Sequence, residues 1–472
     1  MMRISNKQYD EMVKKASPNS PIVLDCIKAF LIGGAICCFG QLMFYIFRKS
    51  GMSLDESRSL VSIALIVITA ILTGIGVFDK ICKFGCFSGL GVQKRGLYNG
   101  DGCKHIQDSR PCNPLRNNCR LTLRIDLFYR RKGDGKMSGR VIEFENKPNV
   151  ISYAAVAGKK EGEGPLGKCF DMVLDDDRCG LDTWEKAESH IQKIAVGLVL
   201  DKSGKKSEEI DGIFAGDLIN QCTGSAFGIR EFGIPYFGVY GACSTSVLAM
   251  INAAVYVDSG KMDTAISSTS SHFCSAEKQF RFPLEYGGQR PPTAQWTVTG
   301  AGAAMISSKS EKNSPKIEKA ILGKMVDKGV TDANNMGAAM APAAADTIAT
   351  FLTETQTTPE HYDLILTGDL GKVGSALLYE ILEKEYNIDI KEKHNDTGLM
   401  MYFLDKQDVH SGGSGCGCCG SVLCSKIMRE LSEGKLHRVL VFATGALLSA
   451  VSPVQGESIP GIAHGILLTD GR

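Results

Sequence analysis

Two stretches near the N-terminus have no polar side. Ala29–Phe47 is interrupted only by Gln41, and Leu60–Phe78 only by Ser62, Thr69 and Thr73. Each is long enough to cross about 30 Å of hydrocarbon, whereas a helix packed on a soluble core keeps one polar face. The pattern predicts two transmembrane helices, about 29–47 and 60–78, joined by a polar stretch at 48–59. Lys7, Lys14, Lys15 and Lys28 precede the first run, and Lys80 and Lys83 follow the second. Basic flanks stay on the cytoplasmic side, so the hairpin should have both ends there.

Residues 85–136 change character. Lysine and arginine recur with little apolar period, which predicts a basic linker without fixed structure beside a membrane surface. Cys103, Cys112 and Cys119 stand here with His105, at spacings that fit no zinc template. From Met137 the pattern becomes globular. Glu161–Gly167 reads as a loop, and Trp184 to Leu200 has helical period, with Trp184, Ala187, Ile191, Ile194, Ala195 and Leu198 on one side. Strands and helices then alternate to the end, the signature of an α/β fold with a parallel or mixed sheet.

Within that alternation one turn stands out. A short strand, Ile234–Tyr240, runs into Gly241-Ala242-Cys243-Ser244-Thr245-Ser246, and an apolar helix follows from Val247. Small residues at a strand-to-helix elbow expose a side chain at a helix N-terminus, where free amides favour anions and lower a thiol pKa. The alternative is a buried structural cysteine. A second stretch, from Gly412 through Cys416 to Cys424, has the same form. Each elbow follows a matching strand end (Ala215-Gly216-Asp217-Leu218 and Thr367-Gly368-Asp369-Leu370) and precedes a strand of small and β-branched residues, Thr264–Ser270 and Val439–Gly445. Three landmarks in one order predict an internally duplicated βαβ unit.

Composition narrows the possibilities. A chain of 472 residues exceeds one core. A net charge of +1 gives no reason to expect nucleic acid. The 17 cysteines do not form a small secreted disulfide scaffold and fit a reducing compartment. No cleavable signal peptide is evident at the polar N-terminus.

The duplicated unit with a cysteine on its first elbow resembles the thiolase and ketoacyl synthase fold. Segments including Gly241–Ser246, Ser270-Ser271-His272, Glu285–Gln289, Met340–Thr347, His394-Asn395-Asp396 and Ala443–Ser449 resemble the stage V sporulation protein AD family. Tyr9–Pro18 and Thr73–Lys80 are similar to the start of a different family, the AC membrane proteins of the same system, up to about Phe84. The join reads as two neighbouring genes brought into one frame, with Met137 close to the start of the second. The resemblance implies an α/β fold of duplicated βαβ halves in five layers (αβαβα), preceded by a transmembrane helical hairpin. The expected divisions are a membrane segment at 1–84, a linker at 85–136, and halves at 137–309 and 310–472.

The same resemblance implies a role in spore formation. Relatives move dipicolinic acid, as its calcium chelate, into the forespore and release it in germination. The expected protein is a non-catalytic dipicolinate-binding component of that channel system. It would be held at the spore inner membrane with its globular part on the cytoplasmic side. Expected partners are dipicolinate, other membrane proteins of the system and a second copy in a homodimer, with no cofactor and no metal. A flat aromatic dicarboxylate asks for amide or cationic donors and a shaped slot. The candidate contacts are Cys243, Ser244, His272, Arg281, Tyr286 and Arg290. Two readings compete. One is an acyltransferase with Cys243 as nucleophile, although Thr367-Gly368-Asp369-Leu370 stands where ketoacyl synthase III relatives carry a histidine, leaving His410 and Cys416 as substitutes. The other is a scaffold that docks membrane partners and gains no stability from the ligand. Asp217 and Asp369 are expected to cap turns rather than bind calcium.

Overall fold

The computed structural model describes residues 4–19, 22–75, 139–280, 290–453 and 455–472. The expected linker at 85–136 lies outside them, as do its cysteines. The first helix, α1 (Asn6–Ala16), starts with a capping box in which Ser5 and Gln8 satisfy each other's backbone amides. Two apolar helices follow, α2 (Ile22–Lys49) and α3 (Leu54–Gly74). Among the described residues, one helix, Cys26–Lys49, is long and apolar enough to cross a membrane. The second expected span lies in α3 as far as Gly74 and beyond it passes out of the described residues. It begins earlier than expected, because Ser53 and Glu56 exchange capping hydrogen bonds and draw the polar Asp55–Ser59 stretch into the helix. Phe30, Leu31, Leu42, Ile63 and Ile66 are exposed, apolar surface that has no protein cover.

The first half of the globular part runs β1 (Asn149–Ala157), α4 (Trp184–Ser203), β2 (Gly212–Gly216), α5 (Thr223–Ile229), β3 (Tyr236–Gly238), α6 (Thr245–Asp258), β4 (Thr264–Ser271), α7 (Phe273–Phe280) and β5 (Gly300–Ser307). The second runs β6 (Lys316–Ile321), α8 (Met336–Thr355), β7 (Leu364–Gly368), α9 (Gly371–Ile381), β8 (His394–Asp396), α10 (Cys416–Val422), β9 (Arg438–Ala446) and β10 (Gly461–Thr469). The strand order is β3-β2-β4-β5-β1 in one half and β8-β7-β9-β10-β6 in the other. In both, the strand second in the chain pairs parallel with the third and fourth, and the fifth pairs antiparallel with the fourth and the first. The duplication expected from the repeated landmarks is therefore present strand for strand. The two runs meet where β1 pairs with β6 at Asn149 and Lys316, and the short strand Val141–Glu143 ahead of β1 pairs antiparallel with Lys319–Ile321 of β6.

Side-chain alternation along the strands sorts the apolar residues into three cores. On β2, Ile213 and Ala215 face α4 and α5, while Phe214 faces the centre. On β9, Leu440 and Phe442 face α8 and α9, while Val439, Val441 and Ala443 face the centre. The central core is filled by α6 and α10 and receives one face of each run. Five layers result, α4/α5, sheet, α6/α10, sheet, α8/α9. At the outer edge, β3 has one neighbour and leaves Tyr236 and Phe237 well exposed beside Tyr256 of α6. Phe237 stacks on Phe214 at 4.6 Å and tilts against Tyr256 at 5.6 Å.

One buried acid ties the halves together. Glu161, expected in a loop but found in the short helix Lys159–Gly162, accepts hydrogen bonds from the Tyr402 hydroxyl and the Thr299 amide (3.1 Å) through Oε1. Burial pushes its carboxyl up from about 4.5 to about 7. Between those values the folded chain keeps a proton that the unfolded chain has lost, so stability falls as pH rises through the window. Glu161→Gln keeps the acceptor and removes the titration. Its melting temperature should therefore vary less between pH 4.5 and 7 than the parent's, read by circular dichroism at each pH. An equally steep decline would assign the effect to another group.

Candidate functional site

The first elbow is built from local hydrogen bonds. Ala242 is left-handed at φ 51°, which lets the chain reverse between β3 and α6. The Ser244 hydroxyl donates to the Gly241 carbonyl (2.6 Å), and the Thr245 hydroxyl donates to the Ala242 carbonyl (2.6 Å) while accepting from the Gly241 amide (2.9 Å). Gly445 of β9 lies so close that an added Cβ would stand 2.4 Å from the Gly241 carbonyl oxygen, so only glycine lets the second half reach the elbow. Cys243 sits at the head of α6 and is buried.

The second elbow repeats the form. Gly415 is left-handed at φ 108°, and Cys416 opens α10. Asp369 orders this turn: its carboxylate accepts from the Gly415 amide (2.7 Å) and the Thr397 hydroxyl (3.2 Å). Burial, then the neighbouring Asp396, pushes the Asp369 carboxyl well above the usual range. Asp217 serves the first half similarly, accepting from the Ile219 amide (2.8 Å) and from the amide and hydroxyl of Ser225 (both 2.7 Å). Both aspartates are occupied with turns.

The duplication brings the elbows together. Cys243 and Cys416 share one small apolar cluster with Leu218 and Ala276. The Cys416 thiol donates to the Ser270 carbonyl (3.0 Å), and burial, then Cys243, raises it well above an ordinary thiol. Beside the pair is a cavity of about 40 Å³. Tyr240, Cys243, Phe280, Met336, Ser414 and Leu448 are among its walls. Among the described residues, no histidine, lysine, arginine or carboxylate lines it. Burial pushes the Tyr240 hydroxyl up to about 12, so it stays protonated.

The other sequence candidates scatter. Ser244 is fully buried and spends its hydroxyl on the elbow. His272 follows β4 directly, but it is not among the cavity walls that include Cys243. Nδ1 accepts from the Cys274 amide (3.1 Å), Nε2 donates to the Asp177 carbonyl (2.9 Å), and the ring tilts against Trp184 at 5.4 Å. Burial lowers its pKa, which favours the neutral ring. Arg290 donates to the carbonyls of Gln295 and Asp408 (both 3.0 Å) and lies 4.6 Å over the Trp296 ring. Arg281 and Tyr286 lie outside the described residues. His410 faces Asp408 at 3.5 Å and is not a wall of the cavity, whereas Cys416 does reach Cys243. Sequence reasoning missed the walls from the second half, Met336, Ala446 and Leu448. Only the repeat itself hinted that residues beyond 330 would close on the first elbow.

Comparison with known proteins covers both parts of the chain. Residues 138–469 match the family model described as Stage V sporulation protein AD. Residues 25–92 match the one described as SpoVAC/SpoVAEB sporulation membrane protein. Stage V sporulation protein AD of Bacillus subtilis (strain 168) is 46% identical over 324 residues, 69% of this chain and 95% of that protein. Stage V sporulation protein AC of the same organism is 39% identical over 80 residues, 16% of this chain, and is matched over 53% of its own length. Among solved structures, 3-oxoacyl-(acyl-carrier-protein) synthase III from Aquifex aeolicus VF5 is similar over 68% of this chain and 99% of its own, at 14% identity and a TM-score of 0.43. OleA from Xanthomonas campestris is similar over 70% and 100%, at 14% identity and 0.45.

The packing predicts thiol reactivity. Cys416, Cys418, Cys419 and Cys424 are buried, and burial raises all four thiols. Since the thiolate is the nucleophile, iodoacetamide at pH 8 should leave these four unmodified in the folded protein and label them in denaturant, read by peptide mass spectrometry. Labelling of Cys416 within minutes in the folded state would mean that the elbow cluster is open.

Proposed function

The chain belongs to the stage V sporulation protein AD family, and on that premise we propose that it is a non-catalytic, dipicolinate-binding component of the spore membrane channel system. It acts at the spore inner membrane with its globular part on the cytoplasmic side. The observation that carries the binding reading is the cavity at the head of α6. The α6 dipole favours a carboxylate at its head, although the Ser244 and Thr245 amides are already given to the Gly241 and Ala242 carbonyls (3.1 and 3.2 Å); Thr297 and Ser414 are polar residues in the walls, and the apolar walls suit a ring. Acyl transfer by Cys243 would need a base and oxyanion donors, and among the described residues the walls offer no base. At about 40 Å³ the cavity holds little more than water as it stands. Binding therefore requires wall side chains such as Phe280 or Met336 to move.

The β3 edge supports a homodimer. An unpaired edge strand with exposed aromatics is a template for a second strand, and Tyr236, Phe237 and Tyr256 form such a surface. Phe237→Lys should leave the protein monomeric where the parent is dimeric, measured by light scattering after size exclusion in detergent. A parent that is monomeric over the accessible concentrations would end this part of the proposal.

Titration calorimetry of the full chain in detergent, with dipicolinate and with calcium dipicolinate, tests the ligand. At 100 times its dissociation constant a bound ligand adds about 2.7 kcal/mol of stability. Cys243→Trp, which fills the cavity, should abolish the heat and the thermal shift. Cys243→Ala should weaken them less. No heat with either form of dipicolinate, together with Cys243-dependent release of coenzyme A from acetyl-coenzyme A, would replace this reading with the acyltransferase.

A further inference from the structure

Helix α8 contains Pro342, which has no amide hydrogen to give to the carbonyl four residues earlier. That carbonyl belongs to Ala338, a residue with 0% exposure, so water does not reach it. A buried carbonyl without a donor is costly. Here the donor comes from the far end of the chain: the Tyr9 hydroxyl of α1 donates to the Ala338 carbonyl at 2.5 Å. Tyr9 is 1% exposed and Met12, one turn on, 7%. Both belong to the same apolar core as α8 and α9, with Ile4, Val13 and Ala16 packed at its margin.

Polar contacts fix both ends of this helix. The Ile4 amide donates to the Glu385 carboxylate (2.8 Å), and the Lys328 ammonium donates to the Ile4 carbonyl (2.7 Å). Lys328 and Glu385 face each other at 3.7 Å. At the other end, the Asn335 side-chain amide donates to the Ser17 hydroxyl (2.9 Å). Asn335 stands between Ala333 and Met336, two walls of the cavity beside Cys243. From Ser17 to Ile22, where α2 begins, five residues reach at most about 18 Å.

We propose that α1 is a docking helix that clips the AD-like domain to the membrane segment, seated in a socket on α8 and α9 whose centre is the Ala338 carbonyl opened by Pro342. The partner this socket recognises is an amphipathic helix with a tyrosine and, three residues on, a methionine on one face. Here that helix belongs to the AC-like part of the same chain, and the clip brings the cavity wall at Ala333–Met336 close to the membrane end of α2. The proposal stands whether or not the cavity binds dipicolinate.

The test cuts the covalent link and asks what remains. A site-specific protease sequence is placed between residues 85 and 136 of the full chain in detergent micelles, with an affinity tag at the N-terminus. After cleavage the domain should stay with the tagged fragment. Tyr9→Phe, which deletes only the hydroxyl, should speed its release about tenfold, the cost of one orphaned buried carbonyl. Tyr9→Ala and Met12→Asp should release it fully, whereas Lys14→Ala, on the exposed face, should change nothing. A synthetic peptide of residues 4–18 should displace the domain from the cut parent, about tenfold more potently than its Tyr9→Phe version, which keeps the result independent of how the variants fold. Release of the domain on cutting the parent would overturn the proposal. So would retention that neither substitution nor peptide alters.

Discussion

The close approach of two sheets across a layer of small residues is the constraint on which this protein depends. A Cβ added to Gly302 of β5 would stand 2.2 Å from the carbonyl oxygen of Gly420 in α10, and one added to Gly417 would meet the Gly300 carbonyl at 2.4 Å. These contacts let a helix from the second half lie on the sheet of the first. Larger residues would push the sheets apart, and overpacked cores of this density do not absorb even one methylene without strain. The run Cys416–Ser421 thus has its composition for steric reasons. Its cysteines are small apolar residues there, and burial keeps their thiols protonated.

That layer also explains the site. Each half carries a strand-to-helix elbow, and each elbow helix points its N-terminus at the same place because the halves share one strand order. Cys243 and Cys416 meet as a consequence of the repeat. The helix ends supply a favourable dipole, while their first amides are given to groups of the fold and the surrounding side chains are mostly apolar. The polar groups nearby are committed to holding the fold. Asp369 and Asp217 hold turns, and His272 spans from the Cys274 amide to the Asp177 carbonyl.

The contact between α1 and α8 follows a different logic. Proline inside a helix is a local defect, and this one is satisfied by a residue 329 positions away in the chain. A defect with a distant remedy links two parts that local folding would leave independent. It joins the helix that precedes the membrane-family match at residues 25–92 to the domain matched at 138–469, at a point beside the cavity wall.

The sequence by itself determined the elements and the repeat. Apolar period and small-residue elbows were enough for the α/β class, for the duplicated βαβ order and for an α2 long and apolar enough to cross a membrane, because these depend on spacings of a few residues. It also indicated Cys243 as the organising position, since an elbow is a local motif. It did not indicate which side chains would join it. His272 and Cys243 follow strands β4 and β3, which flank β2, yet the ring's partners are Asp177 and Trp184, brought in from an earlier loop and helix. Met336, Ala446 and Leu448 reach the cavity only through the packing of the second half. Tyr9 reads as one aromatic in a short amphipathic helix until the fold places it opposite the carbonyl that Pro342 leaves open. Local chemistry fixes where a chain turns. What a side chain touches after the turn is set by surfaces hundreds of residues away, and only the tertiary structure decides it.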